Sequence, residues 1–325
     1  MEARMTGPDY GSTGTRQLAL LAGVAIMIAA WCGPASISAH AQSPKQLRTR
    51  AEAVARHAKP VPMVTVPAGW FLMGTQAKPV PSLALDGPLD DTEVPQRRIW
   101  LDAYQIDRDE VSLGNYLDAI LKKPRALPPD LAELEVLRQL AEFASLLLRP
   151  KKPPDKVVAS WPAIKVTWFE ADTYCHAAGK RLPSEAEWEK AARGETGLLF
   201  PWGNAAPDAR RAVFARVASK TSQNGPLVKS VDSLPDGRSP FGLHHMAGNV
   251  AEWVEDWSSA DSYASMPDRN PTGPTDGRSK VVRGGSWKST PSLLRAATRG
   301  GAPPDLRAPT IGFRCAKSVS GRMAP

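Results

Sequence analysis

The sequence lacks the short motifs on which several common enzyme classes depend. Its 325 residues include three cysteines and five histidines. It contains no P-loop, no G-x-S-x-G elbow, no dinucleotide fingerprint and no H-E-x-x-H pair. His244 and His245 are adjacent, and in an extended segment adjacent side chains point to opposite sides, so the two cannot easily bind one ion together. The motifs therefore favour none of the enzyme classes that those patterns identify.

A concentrated stripe of positive charge is also missing. The formal net charge is +8, but the basic residues are spread along the chain. The densest group follows the N-terminal segment and consists of Lys45, Arg48, Arg50, Arg56 and Lys59. No basic and aromatic recognition motif accompanies it, so we expect no nucleic-acid partner. We expect a basic, partly helical linker over 42–61, which is solvated and touches an anionic envelope surface.

No apolar run is long enough to predict a membrane span with confidence. The N-terminus instead has the pattern of an export signal over 1–41. Arg4 and Arg16 are followed by an apolar stretch from Leu18 to Ala30, and Ala39-His40-Ala41 is typical of a cleavage site. We therefore expect an exported protein, periplasmic or secreted, with an uncleaved membrane anchor as the alternative.

Export bears on the few cysteines. Removal of Cys32 with the signal leaves Cys175 and Cys315, and two cysteines in an exported chain form a natural disulfide pair. Two buried free thiols are the alternative. The 31 prolines and 25 glycines favour a loop-rich fold over a helical bundle.

Capping signals place several helices. Ser112 should begin a helix that runs to about Leu121. The capping boxes Thr167-x-x-Glu170 and Ser184-x-x-Glu187 predict two more helices, which end at Gly179 and Gly194. The segment "TIGFRCAK" predicts a last strand with Ile311, Phe313 and Cys315 on one face.

A further helix is predicted between Pro129 and Pro150, within an inserted segment at about 122–158. Its apolar residues recur at helical spacing, which predicts one buried stripe: Leu134, Leu137, Ala141, Ala144 and Leu148. Such a stripe usually packs against its own domain. The alternative is that the 129–149 helix docks on an envelope or protein partner.

Seven motifs occur in an order that resembles the sulfatase-modifying-factor family, the formylglycine-generating-enzyme (FGE) domain. They are "VPAGWFLMG", "YQIDRDEVSLGNY", "VTWFEADTYCHAAGKRLPSEAEWEKAARG", "FPWGN", "GLHHMAGNVAEW", "VVRGGSW" and "GFRCAK". The resemblance covers about residues 62–318, with a tail over 319–325. It implies an α+β class and an irregular, loop-rich FGE-type fold related to C-type lectins.

The same resemblance implies an oxidase site that this chain has lost. In the family, two cysteines at the second and seventh positions after the Trp of G-G-S-W bind copper(I) and oxidise a sulfatase cysteine. Here these positions are Ser289 and Leu294, so copper is not expected, because Cu(I) prefers thiolates. The family bonds the cysteines that match Cys175 and Cys315 to each other, so the resemblance implies a structural disulfide.

The family also binds calcium, and the matching residues here are His245, Gly248, Val250 and Glu252. Calcium requires hard oxygen ligands, which three of these positions can supply and His245 cannot. A second family site is predicted to be lost, because an Asn there corresponds to Val213. A zinc or iron site at His245 and Glu252 would need a third ligand that no motif supplies.

We therefore predict an exported FGE-like protein without formylglycine-generating activity, which binds a peptide or small polar ligand. In the family a tryptophan lines the active cleft where this chain has Ala251, so a wider cleft is expected. The expected cleft residues are Ser286, Trp287, Ser289, Arg295, Asn249 and Trp253. The alternatives are an oxidoreductase of the formylglycine-generating or non-heme metal type, and a structural envelope protein.

Overall fold

Short strands and short helices alternate along the chain, and long irregular loops connect them, so the class is α+β as predicted. The structure is a computed structural model that describes residues 43–76, 91–122, 129–143, 147, 153–215 and 227–319. The predicted signal at 1–41 and nearly all of the predicted tail lie outside the described residues. Within those ranges, none of the helices combines the length and apolar character that crossing a bilayer requires.

The strands form three small sheets. An antiparallel sheet has the order β1-β4-β9 and consists of Met63–Val66, Tyr104–Asp107 and Ala316–Ser318. A two-stranded antiparallel sheet pairs β2 with β3, which are Gly69–Met73 and Arg97–Leu101. The third sheet has the order β7-β6-β5-β8, in which only the β5–β8 pair is parallel: Arg299–Ala302, Lys280–Arg283, Ala251–Trp257 and Ile311–Phe313.

The helices begin where the capping signals predict. The side chains of Ser112, Thr167 and Ser184 each accept a hydrogen bond from the backbone three residues later. These bonds satisfy amides that the first helical turn leaves without partners. In chain order, α1 to α7 are Pro44–Ala55, Leu113–Leu121, Pro129–Glu142, Asp155–Ala159, Trp168–Ala177, Glu185–Arg193 and Ser262–Ser265; 3₁₀ turns lie at Asp91–Glu93, Pro235–Gly237 and Pro291–Leu294.

The basic segment 42–61 is partly helical as predicted, but it packs in the core and is not a solvated linker. It contains helix α1, which a capping box at Ser43 begins and whose apolar side chains are buried in the core: Leu47, Ala51, Val54 and Ala55. The basic residues of α1 lie on its outer side, where Arg48 pairs with Glu52 and Glu133. The density of positive charge predicted a solvated linker. The apolar residues at positions i, i+4 and i+7 instead bury one face of the helix.

Helix α3 packs against its own domain, and the buried face is not quite the predicted stripe. Leu137 is buried as expected, but the face centres on Val136, Leu140 and Phe143, with Leu147 beyond the helix end. Ala141 is only half-buried, and the side chains of Leu134, Ala144 and Leu148 lie outside the described residues. Phe143 belongs to this buried face because its ring packs edge-on against the ring of Tyr116, with the two ring centres 5.7 Å apart.

Helices α1 to α5, here called the helical layer, share one apolar core with strands β5 and β8. The disulfide bond between Cys175 in α5 and Cys315 beyond β8 joins this layer to the sheets. The predicted pair is therefore present. It closes a loop with a sequence separation of 140 residues, the kind of long closure that restricts an unfolded chain most strongly.

Candidate functional site

The G-G-S-W turn leaves strand β6 directly after Arg283. Gly284 and Gly285 have φ values of 88° and 67°, in the region that favours glycine. A Cβ at Gly284 would lie 3.0 Å from the ring of Trp188, and one at Gly285 would lie 2.7 Å from the carbonyl oxygen of Leu293. A side chain at either position would clash with these neighbours and would also be strained at a positive φ. Both positions therefore require glycine.

The loop after the turn is held by its own hydrogen bonds. Ser286 N–H donates to Ser289 Oγ at 2.9 Å, and Lys288 N–H donates to Ser286 Oγ at 3.3 Å. Trp287 N–H donates to the carbonyl of Asn249 at 2.9 Å, and its Nε1 donates to the carbonyl of Pro309 at 3.2 Å. Three predicted cleft residues, Ser286, Trp287 and Ser289, thus come together in one ordered loop.

Ser289 and Leu294 are neighbours across the turn. A Cβ at Gly285 would lie 3.2 Å from both Ser289 Oγ and Leu294 Cδ2. Leu294 is fully buried and packs in an apolar cluster with Phe200 and Ala247. The backbone therefore brings the two positions together, but it presents a hydroxyl that is already hydrogen-bonded and a packed alkyl chain.

Arg295 is bound within the protein and is not free to meet a ligand. Its two terminal nitrogens donate to the two carboxylate oxygens of Glu93, each at 2.8 Å, and its Nε donates to the carbonyl of Ser292. Glu93 is completely buried. This bidentate pair fixes the loop to the chain that precedes β3, so Arg295 has a structural role here.

Asn249 and Trp253, also predicted as cleft residues, are both completely buried. The Asn249 side chain accepts from Lys229 N–H at 2.9 Å and donates to Glu110 Oε2 at 2.6 Å. Trp253 Nε1 donates to the carbonyl of Val166 at 2.9 Å. Asn249 lies before strand β5 with a φ of 63°, and Trp253 lies within β5, so the structure places both side chains in the interior and not on a cleft wall.

The residues that match the family's calcium site do not form a suitable oxygen cage. Both carboxylate oxygens of Glu252 accept from Arg314, each at 2.7 Å, and one also accepts from Trp188 Nε1 at 2.8 Å. Burial lowers the pKa of His245 to about 4, so it is a neutral imidazole at pH 7. A carboxylate already neutralised by arginine, beside a nitrogen donor, does not fit calcium.

Val213, at the second calcium position, is buried, and its carbonyl accepts from Asn249 N–H at 2.9 Å. Among the described residues there is no group of three or more His, Cys, Asp or Glu side chains placed to hold a metal ion. The two cysteines in the described ranges are bonded to each other, so neither offers a thiolate to copper.

A cluster of buried charged residues, which the sequence did not predict, supports the loop that follows the G-G-S-W turn. We call Glu185, Glu189, Arg283 and Arg299 the charged core, because all four are buried. Arg299 pairs with Glu185 at 2.6 and 2.8 Å, and Arg283 pairs with Glu189 at 2.5 Å. Arg283 also donates to the carbonyls of three consecutive residues, Ala296, Ala297 and Thr298.

The available sequence signal for the charged core was the composition of α6. Its nine residues, "EAEWEKAAR", are all buried, although charge at this density normally marks a solvated helix. A second signal was that Arg283 precedes the G-G-S-W loop and Arg299 follows it. Glutamates at 185 and 189 lie one turn apart and can meet them on one helix face.

Comparison with known proteins gives one consistent family. Residues 49–319 match the Sulfatase-modifying factor enzyme 1-like domain. The formylglycine-generating enzyme of Mus musculus is 32% identical over 78% of this chain and 74% of its own length. The inactive C-alpha-formylglycine-generating enzyme 2 of the same species is 28% identical over 81% and 88%.

A third relative is the serine/threonine-protein kinase Pkn1 of Chlamydia trachomatis, 34% identical over 80% of this chain but only 39% of the kinase. Among solved structures, PvdO from Pseudomonas aeruginosa aligns with a TM-score of 0.56 and 26% identity, over 79% of this chain and 94% of PvdO. Treponema denticola variable protein 1 has a TM-score of 0.57 and 19% identity, over 78% and 94%. These likenesses show an FGE-type fold, which is related to the C-type lectin fold.

Proposed function

We propose that this chain, which belongs to the sulfatase-modifying factor family, is an exported binding module of that family and not a formylglycine-generating oxidase. One observation carries the proposal. The two positions that would bind copper hold Ser289 and Leu294, side by side across Gly285. Copper(I) bound by two thiolates is what activates oxygen in the family, and neither a hydroxyl nor an alkyl chain replaces a thiolate.

The binding role is supported by the rigidity of the loop. Asn249 and the loop's own serines hold its backbone, and Glu93 holds the Arg295 side chain, so a ligand would meet a preorganised surface at low entropic cost. Lys288 and Leu293 are exposed on this loop, and they offer a cation and an apolar contact. A peptide or small polar ligand is the class that such a surface suits. The inactive mouse relative and the kinase that carries a similar region are consistent with non-oxidase uses of the fold.

The test is mass spectrometry of a Cys-x-Pro-x-Arg peptide after incubation with the purified protein, copper(I), reductant and oxygen. We expect no conversion of the cysteine to the aldehyde. The Ser289→Cys/Leu294→Cys double variant should gain conversion, because the backbone already places these positions together.

The matched control is Thr290→Cys/Leu293→Cys, which adds two cysteines to the same loop at other positions and should convert no peptide. Conversion by the wild type would overturn the proposal in favour of the oxidoreductase alternative. Export is tested separately by N-terminal sequencing of the protein recovered from the periplasm, where cleavage after Ala41 is expected.

A further inference from the structure

The two-stranded sheet of β2 and β3 has one face in the core and one face towards solvent. The inner face consists of four buried side chains: Phe71, Met73, Ile99 and Leu101. On the outer face Trp70 lies opposite Trp100, and Leu72 lies opposite Arg98. Trp70 is 38% exposed, and its ring centre is 5.5 Å from that of Trp100. Two adjacent indoles form a cluster, unlike a single exposed apolar side chain, which needs no explanation.

A guanidinium group lies over each indole of this face. Arg98 Cζ is 5.0 Å from the ring centre of Trp70, and Arg269 Cζ is 4.9 Å from that of Trp100. Arg269 reaches the face because it forms a β-bridge with Trp100. Stacking on an indole orients a guanidinium and leaves its N–H edge open to oxygen acceptors. We call Trp70, Leu72, Arg98, Trp100 and Arg269 the ribbon face.

The hydrogen-bond donors of the ribbon face are accessible and uncommitted. Arg98 is exposed, and none of its N–H groups donates to another residue in the part of the chain that the structure describes. The same is true of Trp70 Nε1. Arg269 has only a loose pair with Asp102, at 3.6 Å, in which both side chains are mostly exposed. Such a pair contributes little free energy, so a ligand can replace it.

The charge of the ribbon face favours an anionic partner. Three carboxylates lie around it, and each has a cation of its own: Asp102 with Arg269, Asp268 with Arg97, and Glu195 with Lys190. Arg98 is therefore the uncompensated charge of this surface. A guanidinium binds phosphate and carboxylate oxygens with paired hydrogen bonds.

The arrangement of the rings favours a lipid surface over a polysaccharide. A sugar that stacks on an aromatic side chain needs a free ring face. Here each indole already has a guanidinium over it and the other indole beside it, with the two ring planes at 75°. A bilayer interface needs no free ring face, because indoles insert there with an apolar ring and a polar N–H.

We propose that the ribbon face binds the surface of a bilayer that contains anionic lipids. Trp70 and Trp100 enter the interfacial region, and Arg98 and Arg269 bind lipid phosphates. The segment 42–61, for which the sequence predicted a contact with an anionic envelope, packs in the core instead. Two indoles and one uncompensated charge give weak, reversible binding. This surface is independent of the proposed function of the G-G-S-W loop.

The experiment is co-sedimentation of the protein with vesicles. The chain used begins at Gln42, so that the apolar stretch within 1–41 does not contribute, and it keeps every described residue. Vesicles of phosphatidylcholine with about one-third phosphatidylglycerol should bind it about fivefold more tightly than pure phosphatidylcholine, the factor expected for one arginine near an anionic surface. This preference should fall with added salt. Equal binding to both vesicles, or binding to neither, would overturn the proposal.

Two variants test the charge and the ring separately. Arg98→Gln should lose the preference for anionic vesicles, and Trp70→Ala should weaken binding to both kinds of vesicle by about fivefold. The matched controls are Arg56→Gln, an exposed cation beyond α1, and Phe169→Ala, an exposed ring on α5. Neither control should change the binding. A comparable loss in either control would show that another surface, or unspecific adsorption, is responsible.

A soluble polyanion distinguishes the lipid surface from the other occupant. Polygalacturonate should not bind the wild type measurably without vesicles. If it does, and both Arg98→Gln and Trp70→Ala abolish that binding, the ribbon face recognises a polysaccharide and the lipid proposal is wrong. Urea denaturation should show that both variants are folded. Because Arg98 is exposed, Arg98→Gln still decides the question if Trp70→Ala does not fold.

Discussion

The helical layer and the charged core are both buried, but they are stabilised in different ways. The layer is held by apolar contacts such as those of Leu47, Leu117 and Leu140. The charged core places Arg283 and Glu189 completely out of water. Apolar contacts tolerate exchange of similar volumes, whereas a buried ion depends on each of its partners. The helical layer should therefore tolerate substitution by side chains of similar volume, and the charged core should not.

This difference explains how the loop that follows the G-G-S-W turn is held in place. Arg283 immediately precedes the glycine turn, and its guanidinium binds the carbonyls of 296, 297 and 298. The residue that precedes the loop 284–295 thus binds, through its side chain, the three residues that follow the loop. Ser289 and Leu294 add to this frame, Ser289 through the hydrogen bond that it accepts from Ser286 N–H and Leu294 through the apolar cluster in which it is buried.

Breaking the charged core should have the largest effect. Arg283→Met leaves three carbonyls without their donor and deprives Glu189 of its strongest neighbour, so we expect a loss of about 3–5 kcal/mol in the free energy of unfolding. Urea denaturation measures it. Arg138→Met, at a half-exposed pair on the helical layer, should cost less than about 1 kcal/mol. Similar losses in the two variants would contradict the comparison.

Removing the disulfide bond that joins the helical layer to the sheets should have the next largest effect. The double variant Cys175→Ala/Cys315→Ala should lose about 2–4 kcal/mol, because the bond restricts a long loop of the unfolded chain. A thiol titration of the denatured, unreduced wild type should find no reactive thiol. Two reactive thiols, or an unchanged melting temperature in the variant, would show that the bridge does not form.

A smaller effect concerns a carboxylate beside the charged core. Desolvation, and then the neighbouring Glu185, raise the pKa of Asp256 well above its ordinary value. The folded protein therefore keeps a proton that the unfolded chain releases above about pH 4. The stability contributed by this proton is present at low pH and is lost as the pH rises through the folded pKa.

Asp256→Asn cannot ionise and keeps an oxygen for the Glu185 amide, which now donates to Asp256 Oδ2 at 2.7 Å. The variant should match the wild type near pH 4 and exceed it by about 1 kcal/mol near pH 8. Urea denaturation at several pH values checks this. Asp276→Asn, at an exposed position, serves as the control, and a gain that does not depend on pH would argue against the mechanism.

Calcium should have the smallest effect. Because Arg314 already neutralises Glu252, millimolar calcium should not shift the wild-type melting temperature. His245 has a φ of 54°, a conformation that asparagine tolerates well. His245→Asn should therefore fold, but calcium should not raise its melting temperature either, because Arg314 still neutralises Glu252. A calcium-dependent rise in the wild type would mean that Glu252 can exchange Arg314 for the ion.

Local features were readable from the sequence because their causes are local. The hydroxyl of Ser112, Thr167 or Ser184 accepts a hydrogen bond from the amide three residues later. A four-residue pattern therefore suffices to predict where a helix begins. Helix α3 was found by its period, and Leu137 is buried as predicted, but the buried face also includes Val136 and Leu140, which the predicted stripe did not. The ring of Tyr116, on another helix, decides which side of Phe143 is covered.

The sequence by itself determined the family, the helix starts, the cysteine pair and the presence of Ser289 and Leu294 where the family resemblance implies cysteines. Only the tertiary structure decided that Asn249 and Trp253 are interior, that Arg295 is bound by Glu93, and that α6 is buried with its charges. The physical reason is that a buried charge depends on partners far away in the chain. Arg283 and Glu189 are 94 positions apart, and no local pattern predicts that they meet.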